Sequence, residues 1–201
     1  MVYETPGEHQ RPDGTNCGYV FATNGRCNKC GAVRIDAPPA DPREELLVAR
    51  AAVTARLAHH GQVYDGRNFF DAHVEGVVRQ ATLLSDDERV HAVAYLHDVL
   101  EDSSLTERGL RGMFPDDVVD AVVYLTRETV GRQPYSDYIA LLAVSPDASG
   151  RIARLVKFAD LTFNRANCIR TTSHRGLIQR YTEALERLLP VIRRDLGAGL
   201  I

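Results

Sequence analysis

From Asp41 onward, apolar residues recur at three- and four-residue steps almost without a break, a spacing that lays them along one face of successive helices. The run is clearest over 174–195, where Leu177, Ile178, Tyr181, Leu185, Leu188, Leu189 and Ile192 keep the period. Asp41-Pro42 supplies an N-cap and a first-turn proline to a helix that continues through Leu57 and ends at His60-Gly61. A second helix is predicted from Asp71 to Leu84. A third follows Ser85, where Asp86, Asp87 and Glu88 suit the positive end of the helix dipole. Others are predicted over 105–113, 115–127, 135–144 and 149–168. No strand pattern is found outside a possible hairpin around 19–35. The expected fold class is all-α, a helical bundle.

Residues 1–40 differ from this body. They are rich in Gly, Pro, Asn and Thr, show no helical period, and close on Ala37-Pro38-Pro39-Ala40, a linker sequence. The expected domains are therefore a module and linker over 1–40 and a helical domain over 41–201. Within the module, Cys27-Asn28-Lys29-Cys30-Gly31 spaces two thiolates as a zinc knuckle does, with Cys17 upstream as third ligand and His9 as the nearest fourth. A segment so poor in apolar residues needs such a staple to fold, so a small zinc-ribbon or knuckle-like module with structural Zn2+ is expected. Its charges balance, Arg11, Arg26, Lys29 and Arg34 against Glu4, Glu8, Asp13 and Asp36. Without a basic excess, phosphate attraction is missing and nucleic acid is not an expected partner. The formal charge of the whole chain, -3, agrees. No apolar run reaches membrane-spanning length and no signal peptide opens the chain, so a cytoplasmic protein is expected.

The chemistry concentrates in Leu96-His97-Asp98-Val99-Leu100-Glu101-Asp102. In a continuous helix, His97 stands over Glu101 and Asp98 over Asp102. The flanking Val93, Ala94, Leu96, Val99 and Leu100 are apolar, so costly polar groups enter a core helix, and a divalent cation is the usual compensation. Two further ligands stand out: His73, on a helix with Val74, Val77 and Val78, and Asp160, which interrupts an apolar run from Leu155 to Leu161. An aspartate in such a run is rarely left unpaired. Four ligands would leave about two of six octahedral places for water and substrate.

The order His73, His97-Asp98, Asp160 resembles the HD-domain metal-dependent phosphohydrolases, and more narrowly the hydrolase domain of the RelA/SpoT alarmone enzymes and their small stand-alone relatives. The likeness spans 45–195 and is carried by Ala58-His59-His60-Gly61-Gln62, His73, the segment Tyr95 to Ser103, and Val156-Lys157-Phe158-Ala159-Asp160-Leu161-Thr162-Phe163-Asn164. It implies an HD-domain bundle holding Mn2+ through His73, His97, Asp98 and Asp160. It further implies that Glu101 and Asp102 orient the attacking water and handle protons, that Asn164 holds ribose or phosphate, and that Lys157 supports a phosphate or a carboxylate. The implied reaction is removal of the 3'-pyrophosphate of guanosine tetra- or pentaphosphate, (p)ppGpp, giving GDP or GTP and pyrophosphate.

One departure bears on substrate. Where alarmone hydrolases carry an Arg-Lys pair after the Gly-Gln step, ungapped counting puts Tyr64 and Asp65. Tyrosine can stack on a base, whereas aspartate repels phosphate. Alternatives are therefore another nucleotide substrate (a deoxynucleotide, a nucleoside monophosphate or a phosphorylated dinucleotide) or a non-catalytic nucleotide-sensing bundle. His59, His60, His91 and His174 carry no partner pattern and stay unassigned, Cys168 reads as a small buried residue, and Arg187, Arg193 and Arg194 read as a solvated face.

Overall fold

In the computed structural model the described residues are 42–127, 134–171 and 175–199. The module over 1–40, with His9, Cys17, Cys27 and Cys30 and the hairpin expected around 19–35, lies outside them. The described chain runs α1 (Pro42–Ala58), a two-stranded hairpin β1 (Val63–Tyr64) and β2 (Arg67–Asn68), a π-helical turn (Phe70–Val74), α2 (Glu75–Thr82), α3 (Glu88–Leu96), α4 (Val99–Asp102), α5 (Glu107–Arg111), α6 (Asp116–Leu125), α7 (Tyr135–Val144), α8 (Ala148–Arg170) and α9 (Arg175–Gly197). The helical expectation holds over most of this stretch. Helix starts follow local chemistry: Asp87 accepts from the Arg89 amide at 2.9 Å, Thr106 from Gly109 at 3.2 Å and Asp147 from Gly150 at 2.7 Å, each satisfying an N–H that a helix start leaves orphaned.

The core is layered around α8. Ala153, Leu155, Val156 and Ala159 of that helix are fully buried, and they meet Val74 and Val77, Val90, Ala92, Val93 and Ala94, Val118 and Val122, and Leu188 and Ile192 in one cluster. A buried ion pair ties α8 to α9: Arg154 Nε donates to Asp195 Oδ2 at 2.7 Å, and Arg154 Nη1 donates to the Ser145 carbonyl at 2.7 Å. Each residue is 1% exposed or less. Gly76 lets α2 approach α8 closely, since a Cβ there would stand 2.1 Å from the Phe163 ring.

Two departures from expectation shape the functional end. The segment after Gly61 forms a hairpin in antiparallel register, Val63 opposite Asn68 and Tyr64 opposite Arg67. Its two-residue turn, Asp65-Gly66, has φ of 50° and 73°. That is the positive-φ pair that Asp-Gly favours and that matches strand twist. The second departure is at His97-Asp98. The helix does not continue through this pair: α3 ends at Leu96, His97 is its C-cap, and Asp98, at φ -105° and ψ -2°, opens α4. Its carbonyl accepts from the Glu101 and Asp102 amides. The stacking of His97 over Glu101 expected of one continuous helix is therefore broken by a bend between the two ligand residues.

Candidate metal centre

Two separate pieces of backbone bring three side chains to one point. His73 comes from the π turn, in which the Glu75 N–H bonds back to the Phe70 carbonyl, a geometry that recurs at functional sites. His97 and Asp98 come from the bend between α3 and α4. His73 Nε2 lies 3.1 Å from His97 Nε2 and 3.2 Å from Asp98 Oδ2, and His97 Nε2 lies 3.0 Å from the same oxygen. An ion about 2.1 Å from each donor separates neighbouring octahedral ligands by about 3.0 Å, so this triangle has the dimensions of one octahedral face. Both histidines are buried, at 4% and 3% exposure. The Nδ1–H of His97 donates to the Ala94 carbonyl at 2.8 Å, which turns Nε2 toward the cluster. The donor set fits a divalent cation.

Asp160, on α8, stands beside the triangle with Oδ1 3.7 Å from His73 Nε2. Its other oxygen accepts from Lys157 Nζ at 2.8 Å, and Asn164 Nδ2 also donates to Asp160 Oδ1. Residues 157, 160 and 164 share one face of α8 by their three- and four-residue steps.

Electrostatics bind the cluster together. Burial disfavours a charged His97, but the adjacent Asp98 carboxylate outweighs it and raises the imidazole to about 9. Burial would raise Asp98, yet His97 and His73 hold it well below the carboxylate range. Lys157 is disfavoured by burial and then raised well above the usual lysine value by Asp160.

The two acidic residues of α4 part company. Glu101 is exposed and turned toward the end of α6, where its carboxylate accepts from the Arg127 amide. Asp102 is exposed too, but its electrostatic neighbours are Asp98, His59, His97 and His73. Partial burial raises both carboxyls above their ordinary values, and for Asp102 the nearby Asp98 charge adds to it.

Tyr64, expected at the substrate, is half-buried on β1. Its ring packs 5.0 Å from that of His73 and 6.4 Å from that of Phe163. Its hydroxyl donates to Asn164 Oδ1 at 2.9 Å and accepts from Asn167 Nδ2 at 3.2 Å. Asp65 pairs with Arg170 at 3.3 Å, which fastens the hairpin to the same helix. Residues that sequence reasoning left without a role are brought in as well: Phe163, edge-on to His73 at 5.5 Å, Asn167, and the fully buried His59. The Asp65-Gly66 dipeptide was the available signal for the hairpin. For His59 the segment Ala58 to Gln62 pointed to the region, but His59 and His60 are adjacent and only the fold decides which is buried.

No family model matches the sequence, and no curated protein matches it. Among solved structures, the described fold is similar to one reported as a metazoan ortholog of SpoT that hydrolyzes ppGpp and plays a role in starvation responses, at 20% identity and a TM-score of 0.59. The match covers 78% of this chain and 89% of that one. The two share a fold. That finding agrees with the resemblance carried by His97-Asp98 and its partner segments. Among the described residues no helix is long and apolar enough to cross a membrane.

Proposed function

We propose that this chain is a divalent-metal-dependent phosphohydrolase that removes the 3'-pyrophosphate of (p)ppGpp-type nucleotides. The observation that supports it most is the meeting of the His73, His97 and Asp98 donor atoms at 3.0 to 3.2 Å. They do so on a fold shared with a ppGpp hydrolase. His73, His97, Asp98 and Asp160 would hold the ion, and this mixed imidazole and carboxylate set suits Mn2+. Such an ion, when bound, acidifies a water and shares the charge of a phosphoryl oxygen.

The protein's own groups do the rest. Asp102 accepts the proton of the attacking water, its raised pKa placing it nearer neutrality than an ordinary aspartate. Glu101, steadied by the Arg127 amide, is the second carboxylate at the mouth. Lys157 keeps Asp160 oriented and adds positive charge beside the reacting phosphorus. Asn164 holds the ribose. A cavity of about 210 Å³ between α7 and α9 takes the remaining phosphates. It is lined by Tyr135, Ser136, Ile139, Arg180, Glu183 and Arg187, and Tyr135 lies within electrostatic reach of Lys157 and Asp160. Water adds to the phosphorus, the bond from phosphorus to the 3'-oxygen breaks, and that oxygen leaves protonated with pyrophosphate as the other product.

A second reading is favoured by one observation. Tyr64 and Asp65 are engaged by Asn164, Asn167 and Arg170, so the base side of the site differs from an Arg-Lys pair. It keeps the metal chemistry and changes the nucleotide. Purified protein with Mn2+ is to be incubated with guanosine tetraphosphate, guanosine pentaphosphate, deoxynucleotides, nucleoside monophosphates and phosphorylated dinucleotides. Release of pyrophosphate from the first two, abolished in Asp98→Asn, is expected. Turnover of another nucleotide alone selects the second reading, and inertness toward every phosphate ester in the panel rejects both.

A further inference from the structure

The acidic turn that carries Asp102 is a single helical turn, and little holds it in place. Of its C-terminal carbonyls, that of Val99 is taken by the Ser103 hydroxyl at 2.6 Å. That of Asp102 is reached from a distant part of the chain: Gln62 Nε2 donates to it at 2.5 Å. A backbone carbonyl can only accept, so the Gln62 amide nitrogen must face it and Oε1 must face the other way. Oε1 lies 2.8 Å from Nδ1 of His59, and an amide oxygen also only accepts. Nδ1 of His59 therefore carries the proton.

This tautomer leaves Nε2 of His59 buried and without a hydrogen-bond partner among the described residues. The ring is fully buried and packs 4.7 Å from the Phe69 ring. Packing alone would be served as well by a phenyl ring, without an orphaned nitrogen. What an imidazole adds here is the Nδ1–H that orients Gln62. Gln62 is itself anchored at both backbone groups, its N–H to the His59 carbonyl at 3.1 Å and its carbonyl to the Phe69 N–H at 3.0 Å.

We infer that His59 and Gln62 are positioning residues, a clamp with a buried base at His59 that caps the α4 turn and holds the Asp102 carboxylate toward the metal ligands. The inference rests on the proposed hydrolase reading for the role of Asp102, while the clamp itself is a matter of structure. Neither residue touches the ligand atoms, and both act through the carbonyl of Asp102.

The test uses the full chain loaded with Mn2+, the nucleotide that it turns over, and amide hydrogen exchange over 99–105. In His59→Phe the stacking on Phe69 is kept and the clamp is lost. A fall in kcat of about tenfold or more is expected, with KM and Mn2+ affinity within about twofold. Faster exchange at the α4 amides should accompany it. Gln62→Leu, at a half-exposed position that does not threaten folding, is expected to do the same. His59→Asn puts an amide N–H where Nδ1–H stands and is expected to recover most of kcat. Combined with Asp102→Asn, His59→Phe is expected to add nothing further, because its effect passes through Asp102. Unchanged exchange and kcat in His59→Phe and Gln62→Leu overturn the inference. A wild-type chain without turnover defeats the hydrolase reading instead, and the exchange data still decide whether the clamp exists.

Discussion

The Tyr64 hydroxyl donates to Asn164 Oδ1 at 2.9 Å, joining the hairpin to α8 across a hundred residues of sequence. The Asn164 amide is thereby held from two sides, by Tyr64 at its oxygen and by Asp160 at its nitrogen. Tyr64→Phe keeps the ring on His73 and removes this tether. About 1 kcal/mol of stability should be lost by denaturant titration. Because Asn164 then rotates, KM is expected to rise by about fivefold to tenfold, which steady-state kinetics would read. An unaltered KM would mean that the tether serves folding alone.

Proton release should accompany metal binding. In the metal-free chain His97 holds its proton up to about pH 9, and a ligand nitrogen must give it up. Mn2+ affinity is therefore expected to rise with pH through the neutral range and level off above about 9. Calorimetry in buffers of different ionisation enthalpy would count the proton released. The same shift has a consequence for the metal-free fold. The folded pKa lies above the ordinary 6.5, so this group's contribution is complete below that value and is lost as pH rises toward 9. Thermal melts of chelator-treated protein between these limits should show the decline.

Far from the site, the Arg154–Asp195 pair should dominate stability. Removing one partner strands a buried charge, at a cost of about 3 to 5 kcal/mol. Asp195→Ala is expected to lower Tm by about 10 °C on the scale of a chain this size. Replacing both partners by leucine should restore much of the loss. The metal affinity of the surviving folded fraction should not change, since Asp195 lies on α9 and contributes nothing to the cluster.

Gly76→Ala joins packing to the site. The added methyl would enter the space of the Phe163 ring, which itself packs edge-on to His73. Overpacking of this kind costs about 1 to 3 kcal/mol. A matching loss of Mn2+ affinity, measured by titration, would show that Phe163 helps hold His73 in place.

Much of this arrangement was legible before any coordinates. The helices of the body follow from apolar period, and Asp87, among the acidic residues that suit the start of the third helix, caps it. The residues of the cluster were legible because polar groups in apolar runs, at His73, His97-Asp98 and Asp160, demand partners. The helix break at Asp98 was not legible, since Leu96 to Asp102 contains neither Gly nor Pro to mark it. The clamp was hidden for a different reason: Gln62 and Asp102 are forty residues apart, and a contact between a side chain and a distant carbonyl leaves no periodic trace. The hairpin has its turn signal at Asp65-Gly66, but strands of two residues are too short to leave an alternating pattern.

The π turn that delivers His73 closes its hydrogen bond across five residues, where an α turn uses four. Losing one residue there would regularise the coil and swing every side chain on one flank by about 100°. The imidazole would then face away from His97, although composition and core would barely change. Length variation among kindred sequences should consequently be absent between Phe69 and Glu75, and crowd into the stretches joining later helices.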